Sequence, residues 1–187
     1  MDCPKLCLPD ADMHLVTKSQ IEAKLNWMTG KCCSAAIEFD CENLGYSIQT
    51  TNNCVMSKFT IGINGEKPLY KIIRKRAGLN TWHVYAGYDL DDRICTITCS
   101  MLMNFDLYFY EKPYPKRDAD TDYSHLESKI DSKDGWMKRL QICDKDSGDL
   151  LMMSNVSCCT VNTSVEPKVD FVLMMIINCI WVAIMNQ

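Results

Sequence analysis

A run of basic residues is the segment of this sequence best suited to bind a ligand. Four basic side chains lie within six residues of a chain whose net charge is −4: Lys71, Arg74, Lys75 and Arg76. Each basic residue near an anionic membrane surface contributes about 1 kcal/mol of attraction. The run is therefore the best candidate for contact with an anionic ligand, although the residues alone favour a solvated strand end and turn. Lys138 and Arg139 extend this patch if their strand lies beside it.

The chain has 12 cysteines, a number that suggests metal binding or nucleophilic catalysis as possible functions. Zinc sites need closely spaced ligand pairs, and a catalytic cysteine needs a nearby histidine. Cys95 and Cys99 are four apart without a matching histidine pair, and the chain has only 3 histidines. In a strand these cysteines share a face with Ile97, which favours a place in the core. We expect no metal, no cofactor and no catalytic residue.

The absence of enzyme motifs from the sequence and its net negative charge both limit the classes of function to consider. The sequence contains no glycine-rich phosphate loop, serine-centred elbow or zinc-binding histidine motif, so we expect a protein that is not an enzyme. A net charge of −4 argues against nucleic-acid binding. The polar opening Met1–Lys5 lacks a secretory pattern. We therefore expect an intracellular protein with reduced cysteines, in the cytoplasm or at the inner membrane surface; no protein partner is identifiable.

An acidic segment spans residues 118–134. Asp118, Asp120 and Asp122 are spaced as in a calcium-binding loop, but the central glycine and the closing glutamate are missing. We predict a solvated loop between strands rather than a calcium site.

Alternating apolar and polar residues dominate the chain before its C-terminal segment, and such alternation is typical of β-strands. The clearest runs are Ile37–Phe39, Tyr46–Ile48, Phe59–Ile63, Trp82–Ala86, Phe105–Phe109, Leu140–Ile142 and Val161–Val165. Asn64-Gly65 predicts a hairpin turn because both residues accept positive φ. Asp144–Asp149 predicts a second turn. Many short strands in 187 residues indicate one mainly β domain, a sandwich or a barrel.

The C-terminal segment Phe171–Met185 predicts a helix that is apolar on all sides apart from Asn178. Such a helix must be surrounded by lipid or by protein. Fifteen helical residues span roughly 22 Å, whereas a bilayer core is about 30 Å thick. We therefore favour burial within the protein, with Asp170 as the helix N-cap, over a C-terminal membrane anchor. A closed antiparallel barrel would surround the helix and remove exposed sheet edges.

Several segments, in order along the chain, resemble LURP-one-related proteins. These segments are Cys7–Pro9, Ile63–Leu69, Trp82–Gly87, Gly135–Leu150 and Val165–Phe171 with the apolar helix that follows. The resemblance implies the tubby C-terminal-like fold shared with phospholipid scramblases, a twelve-stranded barrel around a hydrophobic C-terminal helix. The ending Ile184–Gln187 departs from the acidic pair expected after that helix.

The same resemblance implies a function. Tubby-like domains bind phosphoinositide head groups through basic residues on the barrel surface, so we expect a membrane-surface binding protein with a signalling or defence role. The ligand-contacting positions of tubby domains cannot be aligned one by one with this sequence. The candidates within this chain are Lys71, Arg74, Lys75 and Arg76. The alternative is a scramblase-like or tail-anchored protein with residues 171–185 in lipid.

Overall fold

A computed structural model provides the structure of the protein. It describes residues 8, 21–29, 36–40, 46–50, 58–63, 68–75, 80–87, 92–100, 104–110, 122–134, 137–157 and 160–185. Within these residues the protein is mainly β, with one helix at the C-terminal end.

The described residues form a single antiparallel sheet of twelve strands. Its first six strands are β1 (Ile21–Thr29), β2 (Ala36–Asp40), β3 (Tyr46–Thr50), β4 (Lys58–Ile63), β5 (Pro68–Arg74) and β6 (Asn80–Ala86). The other six are β7 (Arg93–Cys99), β8 (Phe105–Phe109), β9 (Asp122–Asp134), β10 (Met137–Asp144), β11 (Leu150–Ser157) and β12 (Thr160–Val165). Every alternating run predicted from the sequence lies in one of these strands.

Strand order follows the chain from β3 to β12, and β1 then pairs with β12 and with β2. The strands β2 and β3 therefore stand at the two ends of the order. No ladder joins them among the described residues, although their Cα atoms come within 8 Å. The antiparallel β architecture is confirmed, and closure of the sheet into a barrel stays a prediction.

The single helix of the described residues, α1, spans Phe171–Met185, the range predicted from the apolar run. Its side chains are buried at every position from Phe171 to Trp181. They pack in one cluster with inward-facing strand residues such as Phe59, Trp82 and Leu107. The helix is thus covered by protein, as predicted. No helix in the described part of the chain has the length and apolarity needed to cross a bilayer.

Asp170 caps this helix, also as predicted. Its Oδ1 accepts a hydrogen bond from the Leu173 amide at 3.0 Å, and its Oδ2 accepts one from the Leu8 amide at 2.8 Å. The carboxyl is fully buried, and this burial raises the pKa of Asp170 to about 6 in spite of the backbone amides that favour its charged form. Asp170 therefore ties a residue near the N-terminus to the start of the C-terminal helix.

Asn178, the polar residue of the helix, is also fully buried. Its Nδ2 donates a hydrogen bond to Thr163 Oγ1 on β12 at 2.6 Å. Thr163 Oγ1 lies 2.9 Å from Ser154 Oγ on β11, so three side chains form a polar chain within the core. Because hydrogen bonds are directional, this chain fixes how the helix is rotated against β11 and β12.

The acidic segment is a strand over most of its length, so the predicted loop is wrong for residues 122–134. β9 covers these 13 residues and pairs with both β8 and β10. Leu126 is fully buried on its inner face, whereas Ile130 remains 42% exposed. With so few apolar anchors, the alternation of a strand is hard to recognise. Residues 118–121 lie outside the described residues.

The turn between β10 and β11 matches its prediction. Asp144 Oδ1 accepts hydrogen bonds from the amides of Asp146 at 2.7 Å and Ser147 at 3.2 Å. Gly148 has φ 75, a value that glycine adopts without strain. The other predicted turn, Asn64-Gly65, lies outside the described residues, and the antiparallel pairing of β4 with β5 is the pairing that a hairpin there requires.

Candidate functional site

The predicted basic residues lie in β5 or directly after it. Successive side chains of this strand face opposite sides of the sheet. Lys71 lies on the outer side, because its neighbour Ile72 is fully buried on the inner side. The strand register places Lys71 between Thr60 on β4 and Tyr85 on β6. Only 8% of Lys71 is exposed, so it contributes positive charge beneath the surface.

Arg74 takes the inner side, because it is three residues from Lys71. Its guanidinium donates a hydrogen bond to Asn80 Oδ1 at 2.6 Å. The guanidinium carbon also lies 5.9 Å from the ring centroid of the fully buried Trp82. Arg74 thus packs at the edge of the core, on the opposite side of the sheet from Lys71.

Lys75 is the most accessible of the described candidates. Its amide donates to the Thr81 carbonyl at 2.8 Å, which continues the β5–β6 ladder by one residue. Lys75 therefore lies on the outer side with Lys71, and its side chain is exposed. Arg76, the fourth predicted residue, lies outside the described residues.

Two basic residues that the sequence reasoning missed complete this surface. Lys58 on β4 pairs with Ile73, and Arg93 on β7 pairs with Tyr85, so both lie on the outer side. Both are partly exposed. We call the outer surface of β4–β7 with Lys58, Lys71, Lys75 and Arg93 the basic face.

The composition of these four strands sets their charge. The strand sequences are KFTIGI, PLYKIIR, NTWHVYA and RICTITC, which include no aspartate or glutamate. Within these strands no carboxylate offsets the lysines and arginines, so the strands themselves carry positive charge on a protein with net charge −4, and the exposed Asp92 borders them just before Arg93. An electropositive surface of this kind favours anionic ligands.

A hydrogen-bonded group supports the basic face. Thr96 Oγ1 lies 3.0 Å from His83 Nδ1 and accepts a hydrogen bond from the Tyr110 hydroxyl at 3.0 Å. The Arg93 guanidinium carbon lies 5.0 Å from the centroid of the Tyr110 ring. His83 is partly exposed on its strand, as predicted. These contacts position Arg93 by a cation–π interaction and restrict its motion.

Lys138 and Arg139 do not extend the basic face along the sheet. They lie on β10, and four strands, β6 to β9, separate β10 from β5. Both side chains are exposed, and Arg139 Nε donates to Asn155 Oδ1 at 3.1 Å. Their distance from β5 makes them useful as charge-matched controls.

The described cysteines are free thiols, and the predicted core role of two of them is confirmed. Cys95 is fully buried and Cys99 is 5% exposed. Burial raises the pKa of the Cys99 thiol to about 12 and raises the pKa of Cys95 still further. Thiolate is the reactive form, so neither thiol is suited to nucleophilic attack. Within the described residues, no group of His, Cys, Asp or Glu is arranged to hold a metal ion.

Comparisons with known proteins concern the fold. No family model matches the chain. No curated protein matches it. The X-ray structure of a protein from Arabidopsis thaliana is similar, with a TM-score of 0.62 over 95% of this chain and 98% of that chain. The two proteins share a fold. Their sequence identity is 13%, so the likeness supports the LURP-one-related resemblance at the level of the fold alone.

Proposed function

We propose that this protein is a non-enzymatic binding protein that docks on anionic membrane surfaces, with phosphoinositide head groups as ligands of the basic face. The single observation that carries the proposal is the basic face itself. Lys58, Lys71 and Arg93 lie on one outer side of β4, β5 and β7, and Lys75 follows β5 on the same side; the strands β4–β7 contain no carboxylate. A multivalent anion gains from the three accessible members, Lys58, Lys75 and Arg93, at about 1 kcal/mol per basic residue near a membrane, while the buried Lys71 adds positive charge from beneath.

The proposed role includes a closed barrel. A helix buried on all sides needs a sheet that surrounds it, and the proximity of β2 and β3 supports closure between them. A closed sheet leaves the outer surface of the strands as the place for a ligand, because the interior is filled by the helix. We place the protein inside the cell, at the inner membrane surface, where phosphoinositides and other anionic lipids attract basic residues.

Vesicle binding tests the proposal. Neutralising the four residues of the basic face, Lys58, Lys71, Lys75 and Arg93, should weaken sedimentation with vesicles that contain phosphatidylinositol bisphosphate, while vesicles of phosphatidylcholine alone retain neither protein. Because Lys71 is buried, circular dichroism must show that the variant is folded. Equal sedimentation of a folded variant and the wild type would refute the proposal.

The same preparation separates this function from a tail-anchored one. A helix buried by protein predicts that an alkaline wash releases the protein from vesicles. Retention through the wash would instead indicate that residues 171–185 enter lipid, and the proposal of surface docking would fail.

A further inference from the structure

A second group of side chains with potential for binding lies on the outer surface of β8 and β9. The register places Asp106 opposite His125 and Tyr108 opposite Tyr123. Tyr123 is 57% exposed, unusually high for a large aromatic residue. We call Asp106, Tyr108, Tyr123 and His125 the acidic-aromatic patch. It is separate from the residues that carry the proposed lipid binding.

Asp106 organises the polar part of this patch. Its Oδ1 accepts a hydrogen bond from the Tyr123 hydroxyl at 2.7 Å and one from His125 Nδ1 at 2.6 Å. A carboxylate only accepts, so His125 Nδ1 donates the proton of this hydrogen bond. Asp106 Oδ2 accepts no hydrogen bond from the described residues. The patch thus offers Asp106 Oδ2 as a further acceptor.

The two tyrosines supply the apolar part. Their ring centroids are 5.2 Å apart, and the ring planes are tilted by 43°. The faces of aromatic rings carry partial negative charge and attract cations. Hydrogen bonding to Asp106 holds the Tyr123 ring in place, and it raises the pKa of Tyr123 to about 12, so the hydroxyl remains a donor at neutral pH.

The neighbouring turn adds negative charge. The Lys145 amide donates to the His125 carbonyl at 3.3 Å, which brings the Asp144–Asp149 turn beside the end of β9. Asp146 lies close enough to Tyr123 to oppose ionisation of its hydroxyl. Carboxylates and aromatic faces both disfavour an anion and favour a cation.

We propose that the acidic-aromatic patch binds an arginine side chain of a protein partner. A guanidinium is planar, so it stacks on the exposed Tyr123 ring while its N–H groups reach Asp106 Oδ2. A lysine ammonium forms the same charge pair without the stacking, so it binds more weakly. The ligand is a basic protein segment, in contrast to the anionic ligand of the basic face.

Titration of the full chain with three short peptides tests this inference. The probes are acetyl-Gly-Arg-Gly-amide, its lysine counterpart and its citrulline counterpart, which keeps the shape of arginine without the charge. We expect the arginine peptide to bind about tenfold more tightly than the citrulline peptide, because it adds a charge-assisted hydrogen bond and a cation–π contact. Chemical-shift changes at the tyrosine and histidine rings give both affinity and location.

Matched variants localise the effect. Asp106→Asn should weaken arginine binding about tenfold, and the double change of Tyr108 and Tyr123 to Leu should weaken it at least as much. Glu127→Gln removes a nearby exposed carboxylate of β9 and should alter binding by less than about twofold. The leucine variant keeps the test decisive if Asp106→Asn fails to fold.

Three results would overturn the inference. Arginine and citrulline peptides could bind equally, the Asp106 and tyrosine variants could bind like the wild type, or phosphocholine could bind more tightly than the arginine peptide. The last result would assign the aromatic rings to a lipid head group instead of a protein. None of these results depends on whether the basic face binds phosphoinositides.

Discussion

The basic face on β4–β7 and the acidic-aromatic patch on β8–β9 are neighbours in one sheet but have opposite chemistry. The strands of the basic face contain no carboxylate, whereas β8 and β9 carry Asp106 and Glu127 on their outer sides, next to the inner residues Leu107 and Leu126. The border between the two surfaces runs between β7 and β8. The inner sides of the same strands are alike, with Ile97 and Leu107 paired and fully buried. One core therefore supports two outer surfaces that suit ligands of opposite charge.

Both surfaces depend on the helix, so a change that unfolds the core should abolish both at once. Ile177 is fully buried, and Ile177→Asp places an unpaired charge in the apolar interior. We expect a loss of about 3–5 kcal/mol in the free energy of unfolding, measured by urea denaturation. Ile177→Leu is the matched control and should cost less than about 1.5 kcal/mol. An aspartate variant as stable as the wild type would show that the helix is peripheral.

Asp170 makes stability depend on pH, independently of either surface. Its pKa is raised from 3.8 in the unfolded chain to about 6 in the folded protein, so the folded state binds the proton more tightly. Stability from this group is present below pH 4 and is lost as the pH rises through about 6, by on the order of 3 kcal/mol. Asp170→Asn should therefore remove this decline when denaturation is followed at pH 4 and pH 7. A decline of equal size in both proteins would assign it to other groups.

Salt concentration should affect ligand binding by the two surfaces to different extents, with a smaller effect than the changes above. The proposed lipid binding by the basic face would rely on several partly exposed charges, which are screened over about 8 Å at physiological ionic strength. Arginine binding by the acidic-aromatic patch adds stacking, which salt screens less. We expect vesicle binding to fall more steeply than arginine-peptide binding between about 0.05 and 0.3 M NaCl. Equal slopes would mean that both surfaces bind through charge alone.

Tyr123→Phe should have the smallest effect. It removes the hydroxyl that donates to Asp106 but keeps the ring beside Tyr108. Because Tyr123 is exposed, we expect a loss of about 0.5–1 kcal/mol in the free energy of unfolding, from thermal or urea denaturation. Vesicle binding should not change. A change in vesicle binding would show that the two surfaces are coupled.

The sequence predicts the core of this fold better than its surfaces. The apolar run predicts the bounds of α1, and alternation of apolar and polar residues predicts strands such as β6 and β8. Both patterns are visible in the sequence because buried positions must be apolar and recur with the period of the element. The strand β9 is not recognised from the sequence, because Leu126 is its clearest apolar residue on the buried side and one such residue does not make an alternating pattern. Positions on the surface depend on strand register, which sequence does not display: Lys58 and Arg93 are 35 residues apart and reach one face only through pairing. Spacing alone could have separated Lys71 from Arg74, since residues three apart in a strand face opposite sides.

The most direct test compares two variants that each lose three positive charges. Lys58, Lys75 and Arg93 are changed to Gln in the first, and Lys129, Lys138 and Arg139 in the second. Affinity for vesicles containing phosphatidylinositol bisphosphate should fall roughly 100-fold in the first variant, from about 1 kcal/mol per residue, and by less than about threefold in the second. Equal losses in two folded variants would contradict the account, because they would show that membrane binding follows net charge and not the basic face.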